Sequence, residues 1–160
     1  SEDESKVEHW SSRNRHRQRQ LEYANLLAAC LGGEGSPSHL QHCDTHKGDE
    51  DITVNPADRA RNCEHLVRYA PDGRIYSNQP GIDHDLCSTL KLNLQTLINN
   101  RGAVLDGAIE SMRRLRPDGQ WTRTFLDSAK RKWQDRGRDD GFSPYCQIVV
   151  AYLDKKLHRL

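Results

Sequence analysis

Three short strings in the first third of the chain constrain it most: Glu8-His9-Trp10, Asn25-Leu26-Leu27 and Cys43-Asp44-Thr45-His46-Lys47-Gly48. As chemistry they are a carboxylate beside an imidazole, an amide downstream, and a second carboxylate or imidazole next to a lysine and a glycine. Such groups can hold one divalent cation and activate a water beside it. The segments around them are short. Val7-Glu8-His9-Trp10 reads as the end of a strand, residues 11–20 as a basic loop, and residues 21–30 as a second strand turning into the next element. Residues 31–41 carry Gly32, Gly33, Gly35, Ser36, Pro37 and Ser38, which is loop chemistry. His42 to Gly48 then begins a helix or turn that bears the second carboxylate.

Composition narrows the function classes. Of 160 residues, 34% are hydrophobic and 29% charged, and the mean hydropathy is −0.92. Core residues are scarce, which suits a site for a charged ligand or a partner protein. The net charge of +1 reveals no nucleic-acid binder in bulk, so local clustering has to carry that argument. No run approaches the roughly 20 apolar residues of a membrane span, and no signal peptide opens the chain. The five cysteines, Cys30, Cys43, Cys63, Cys87 and Cys146, are odd in number and irregularly spaced. That argues against a secreted disulfide framework and for cytosolic thiols or a partial metal site. A soluble, cytoplasmic protein with no membrane partner is expected.

Downstream, residues 1–6 read as a frayed or a cut start, and Ile52-Thr53-Val54 as a short strand ended by Asn55-Pro56. The turn triplet Pro71-Asp72-Gly73 between residues 66–69 and 74–76 predicts a hairpin. Leu86, Leu90, Leu94, Leu97, Leu105, Ile109 and Met112 fall near helical spacing and predict one long helix, or two with a break near Gly102. Residues 122–136 are a second amphipathic candidate. Ser143-Pro144 starts a last helix with Ile148, Val149, Tyr152 and Leu153 on its apolar face. The fold class expected is α+β, with residues 1–60 as a small core and residues 61–160 as a β-hairpin plus helical extension packed on it and used for docking.

The basic loop holds Arg13, Arg15, Arg17 and Arg19. A charge run by itself is usually a solvated face. Lying between two parts of that candidate cation site, it reads better as a phosphate contact, because arginine presents a planar donor fork. Cys63, Cys87 and Cys146 are isolated thiols, and His65, His84 and His158 have no partner pattern.

The order acid-His, then Asn-Leu, then Cys-X-X-X-Lys-Gly resembles the HNH nuclease motif, whose ββα-metal hairpin cuts phosphodiesters. More narrowly, residues 21–30, His42-Cys43-Asp44-Thr45-His46-Lys47-Gly48, the hairpin around residues 69–75, and Lys91-Leu92-Asn93-Leu94 with Arg101 are similar to the PtuB-like HNH effectors of Septu and retron anti-phage systems. The resemblance covers about residues 6 to 115. It implies a metal-dependent endonuclease acting on DNA or RNA, a tRNA included, as the toxic effector of a bacterial defence complex. His9 is then the base that takes the proton from the attacking water, since an imidazole titrates near pH 6.5. Glu8 stands where the family has an acid, as a metal ligand. Asn25 matches the middle residue, expected to fix the hairpin loop and hold the histidine by hydrogen bonds.

Aligned on Lys47-Gly48, Asp44 is the second metal ligand, with His46 as the alternative. Asp44 is preferred because Mg²⁺ and Mn²⁺ favour oxygen, and Lys47 is a phosphate or transition-state contact. Cys30 and Cys43 could be half of a structural Zn²⁺ site whose other half is the Cys-X-X-Cys such modules often carry upstream. In this chain only His39, His42 or a more distant ligand could complete it, so no zinc or an incomplete site is expected. The implied partners are a nucleic-acid substrate and a PtuA-like ABC/SMC-type ATPase, with a reverse transcriptase and retron msDNA in the retron case. The alternative is a non-catalytic adaptor, or nucleic-acid-binding module, that kept the HNH scaffold and docks on a partner ATPase. Glu8 for the commoner Asp, Asp44 for His, and the absent cysteine pair favour it. A weaker alternative is an RNA-binding module using the arginine loop alone.

Overall fold

The computed structural model describes residues 5–58, 60, 63–137 and 141–160. Residues 1–4 of the expected frayed start lie outside that set, whereas its last two, Ser5 and Lys6, are already strand. Strand β1 (Ser5–His9) pairs antiparallel with β2 (Leu26–Cys30), in the register Lys6 opposite Ala29 and Glu8 opposite Leu27. The second strand therefore begins later than expected, because Tyr23–Asn25 forms a 3₁₀ turn first. After a loop containing another 3₁₀ turn, Ser38–Leu40, comes the short helix α1 (Cys43–Lys47), ended by Gly48 at φ 55°. Strand, strand, helix is the order expected, and the fold class is α+β. The expected strand at Ile52-Thr53-Val54 does not form. That segment is irregular, and the Thr53 amide donates to the Asp85 carboxylate at 2.6 Å instead of to a neighbouring strand.

β3 (Arg68–Tyr69) and β4 (Ile75–Tyr76) make the second two-stranded sheet. The helical half then begins with α2 (Pro80–His84), led by proline in its first turn, where a missing N–H costs nothing. A π-helical turn follows over Asp85–Thr89. The helix break falls at residues 90–94, where Lys91 takes φ 50°. It does not fall at Gly102, which lies inside α3 (Gln95–Leu115). Helices α4 (Arg123–Gln134) and α5 (Cys146–Leu157) complete the chain.

The chain divides into two compact units, residues 1–68 with 75–94 and residues 69–74 with 95–160. In the second, Leu105, Ala108 and Met112 of α3, Leu126 of α4, and Ile148, Val149, Leu153 and Leu157 of α5 form one apolar cluster. Thr122 caps α4 by accepting from the Phe125 amide. The tip of the β3–β4 turn lies against α3: Gly73, at φ 93°, leaves no room for a Cβ, which would stand 2.2 Å from the Ile98 carbonyl oxygen. The buried Arg101 donates from Nε to the Gly73 carbonyl at 2.6 Å.

The first unit has a different interior. Its buried apolar residues, among those described, are Ile75, Ile82 and Leu86, while Ser11, Ser12, Asn25, Lys47, Ser77 and Asp85 are buried polar groups. A two-stranded hairpin is marginal in water without support, so here hydrogen bonds have to do what an apolar core does in the other unit.

Candidate functional site

Asn25 organises the hairpin loop. It is 0% exposed. Its side chain accepts from the Ser11 amide at 2.7 Å and donates to the carbonyls of Ser11 at 3.1 Å and Arg19 at 3.0 Å, while its own carbonyl accepts from the Trp10 amide at 2.9 Å. One amide thus closes both ends of the basic loop. It makes no bond to His9. That imidazole is held by the loop backbone instead, through Nε2 to the Gln20 carbonyl at 2.9 Å. A carbonyl can only accept, so Nε2 carries the hydrogen and the neutral ring keeps its basic lone pair on Nδ1.

Glu8, His9, Asp44 and Lys47 line one open cleft of about 580 Å³ together with Arg13 and Arg17. Strand alternation explains half of this. Lys6 and Glu8, two residues apart on β1, share a face, and α1 packs against the hairpin with Asp44 in its first turn. Lys6 Nζ sits 3.1 Å from Glu8 Oε1 and 3.5 Å from Asp44 Oδ2, and also donates to Thr45 Oγ1 at 2.9 Å. The Lys6 ammonium thus lies within ion-pair distance of both carboxylates and neutralises part of their charge. Burial opposes charge on both carboxyls, and they share a hydrogen bond. The outcome differs because Lys6 holds Glu8 below its ordinary value, whereas burial and the neighbouring Glu8 raise Asp44. Lys47, 6% exposed, lies 3.7 Å from Asp44 Oδ1 and donates to the Gly48 carbonyl at 3.1 Å.

Two sequence expectations need correction. His46 does not line the cleft; its Nδ1 is 3.0 Å from the Thr89 carbonyl, leaving Asp44 as the side chain of α1 that faces Glu8. The arginine cluster divides. Arg15 pairs with Glu50 at 3.1 Å and Asp51 at 3.7 Å, and Arg19 pairs with Glu22 at 2.9 Å while its guanidinium stacks 5.2 Å from the Trp10 ring. Arg13 and Arg17 make no ion pair among the described residues and stay on the cleft. Of the residues that sequence reasoning missed, Lys6 had a signal in its spacing from Glu8. Asp49, held by Ser12 and Asn14, and the Gln20 carbonyl had none.

The thiols Cys30 and Cys43 do meet. Gly32, at φ 58°, turns the chain so tightly that a Cβ there would fall 2.2 Å from the His42 carbonyl oxygen, and the Gly32 carbonyl accepts from the His42 amide at 2.9 Å. The ligand atoms of Cys30, His42 and Cys43 consequently lie within 4.8 Å of one another and could hold a metal ion. His42, not His39, is the imidazole brought to the pair. A hydrogen bond from Cys43, with help from the Gly32 amide and His42, pulls the Cys30 thiol down to about 5 against the cost of burial. Cys87 is raised by burial and by Asp83, and Cys146 is buried and raised; neither belongs to this group. No helix among the described residues is long and apolar enough to cross a membrane.

No protein-family model matches the chain, and neither does any curated protein.

Proposed function

We propose that the chain is a metal-dependent endonuclease of the HNH, ββα-metal kind, hydrolysing phosphodiester bonds at the cleft between β1, its loop and α1. The observation that carries this reading is the convergence of Glu8, His9, Asp44 and Lys47 with Arg13 and Arg17 on a single opening. Two carboxylates on a hairpin-plus-helix support suit Mg²⁺ or Mn²⁺, which take oxygen ligands and leave several positions to water and substrate. Glu8 and Asp44 would hold the ion in place of the Lys6 ammonium that now lies beside both. When bound, the ion supplies charge stabilisation at the phosphate oxygens.

The chain's own residues do the rest. His9, fixed through Nε2 by the Gln20 carbonyl, accepts a proton from the attacking water on Nδ1. Arg13 and Arg17 bind the flanking phosphates, and Lys47 offsets charge that develops on the phosphorus oxygens. Asn25 positions His9 only through the loop it closes.

The second metal group belongs to the same proposal in a structural role. A site of two thiols and an imidazole suits Zn²⁺, and a unit with three buried apolar residues among those described is the kind of small scaffold that gains from such a staple. The resemblance to PtuB-like effectors makes a PtuA-like ATPase the partner to supply if the chain alone is silent.

Calorimetric titration with Mn²⁺ tests the cleft. One ion is expected to bind the wild type, with Glu8→Gln and Asp44→Asn each weakening it by at least about tenfold, as loss of one charged ligand should. Unchanged affinity in both variants would remove the metal from this site.

A further inference from the structure

We infer that the groove beside Trp10 and Tyr23 is a stacking subsite for an unpaired nucleobase, so that the substrate is single-stranded nucleic acid. The inference rests on the nuclease reading above and names its substrate class. The groove, of about 1030 Å³, is lined by Trp10, Arg19, Tyr23, Leu26 and Asn55, among others. It is not a separate feature of the surface. An intervening cavity of about 400 Å³ shares Leu27, Ala28, Pro56 and Ala57 with it, and shares Glu8, His9, Asp44 and Lys47 with the hydrolytic cleft. Each hollow thus adjoins the next through shared lining residues, in the order Arg13 and Arg17, then the carboxylates and His9, then the aromatic residues.

The two ends of this series differ in chemistry as a nucleotide strand does. At the first, two arginines without ion pairs among the described residues offer charge to phosphates. At the second, Tyr23 lines the groove and is 90% exposed, so an aromatic ring stands in water there. The Arg19 guanidinium is spent on Glu22 and lies 5.2 Å over the Trp10 ring, which leaves it a flat cation–π surface and little free charge. A flat π-face is complementary to a base that has left its stack. Duplex bases keep their faces against one another and could reach this end only by unpairing. Phosphate at one end, base at the other and the candidate chemistry between them fit a strand laid along the groove.

The test is fluorescence anisotropy of the full chain with neither Mg²⁺ nor Mn²⁺ added, using a short fluorescein-labelled homopyrimidine strand, the same strand annealed to its complement, and an abasic version. The wild type should bind the single strand more tightly than either of the others. Tyr23→Ala should weaken single-strand binding about 5- to 150-fold, the range that loss of one base–aromatic stack gives, while leaving the abasic strand unaffected. Tyr23→Phe should restore wild-type affinity. The exposure of Tyr23 makes these variants harmless to the fold, and their circular dichroism should match the wild type. Equal affinity for single strand and duplex, or a Tyr23→Ala protein that binds like the wild type, would overturn the subsite and leave the groove to a protein partner. Withholding Mg²⁺ and Mn²⁺ in the binding assay separates this from the parent reading. A wild type that binds through Tyr23 yet never cuts with Mg²⁺ or Mn²⁺ keeps the subsite and loses the nuclease. One that cuts while Tyr23→Ala binds normally keeps the nuclease and loses the subsite.

Discussion

At Asp44, burial and the shared bond with Glu8 raise the carboxyl above its ordinary value although Lys47 and Lys6 pull it back. A raised value means that the folded chain holds this proton more tightly than the unfolded one. The resulting stability is complete below the unfolded value and is lost as pH rises through the folded one. Glu8 is the opposite case: its lowered value gives stability above the ordinary carboxylate range that disappears as pH falls through the lowered one. The metal-free protein should therefore lose stability from Asp44 on the way to neutrality. Asp44→Asn should melt a few degrees higher than the wild type at pH 7 without metal, and the gap should close on acidification through the Asp44 range. Added Mn²⁺ should raise the wild-type melting temperature more than that of Asp44→Asn. Thermal melts at two pH values with and without Mn²⁺ check all three. A variant that melts lower at pH 7 would mean that the ion pairs with Lys6 and Lys47 outweigh burial.

Among the elements, the β1–β2 loop depends most on a single side chain. The Asn25 amide makes three hydrogen bonds from a fully buried position. Asn25→Ala would strand the Ser11 amide and two carbonyls, at roughly 1–3 kcal/mol for each buried group left unpaired. The expected loss is about 2–4 kcal/mol in urea unfolding, together with loss of the His9–Gln20 contact. A loss under about 1 kcal/mol would show that water replaces the amide and that the loop closes without it.

This loop is also where the local structure was most readable, because the hydrogen bonds of His9 and Asn25 reach only residues of the same short loop. What the sequence withheld depends on distant approach. Arg15 and Arg19 look like phosphate contacts until residues 49–51 and Glu22 are placed beside them. His46 looks equivalent to Asp44 until Thr89 is seen to accept its ring nitrogen. Ile52–Val54 has strand composition, but no strand among the described residues pairs with it. The helix break was misplaced for a related reason: Gly102 is a weak helix former, yet the turn at Gly73 lies against that stretch of α3, as the short distances to Ile98 and Gly102 record.

On the scale of the whole molecule the apolar residues are unevenly spent. The unit built from α3, α4 and α5 holds the larger apolar cluster. The unit bearing the cleft is held by buried amides, hydroxyls and charges, with a Cys30–His42–Cys43 group that can add a metal. Acidic side chains outnumber basic ones in the hairpin unit, so any attraction for phosphate falls to the cleft residues Arg13, Arg17 and Lys47 rather than to the unit as a whole.

The most direct measurement is cleavage of plasmid DNA, total RNA and a labelled single strand by the wild type and His9→Ala, in Mg²⁺, Mn²⁺ or EDTA. A PtuA-like ATPase should be added in parallel lanes. The account predicts cutting by the wild type with either ion and none in EDTA, and a His9→Ala protein slower by about 10²- to 10⁴-fold, the usual worth of a general base. Cutting that survives His9→Ala at the wild-type rate, or a wild type silent with both ions even when the ATPase is present, would contradict it.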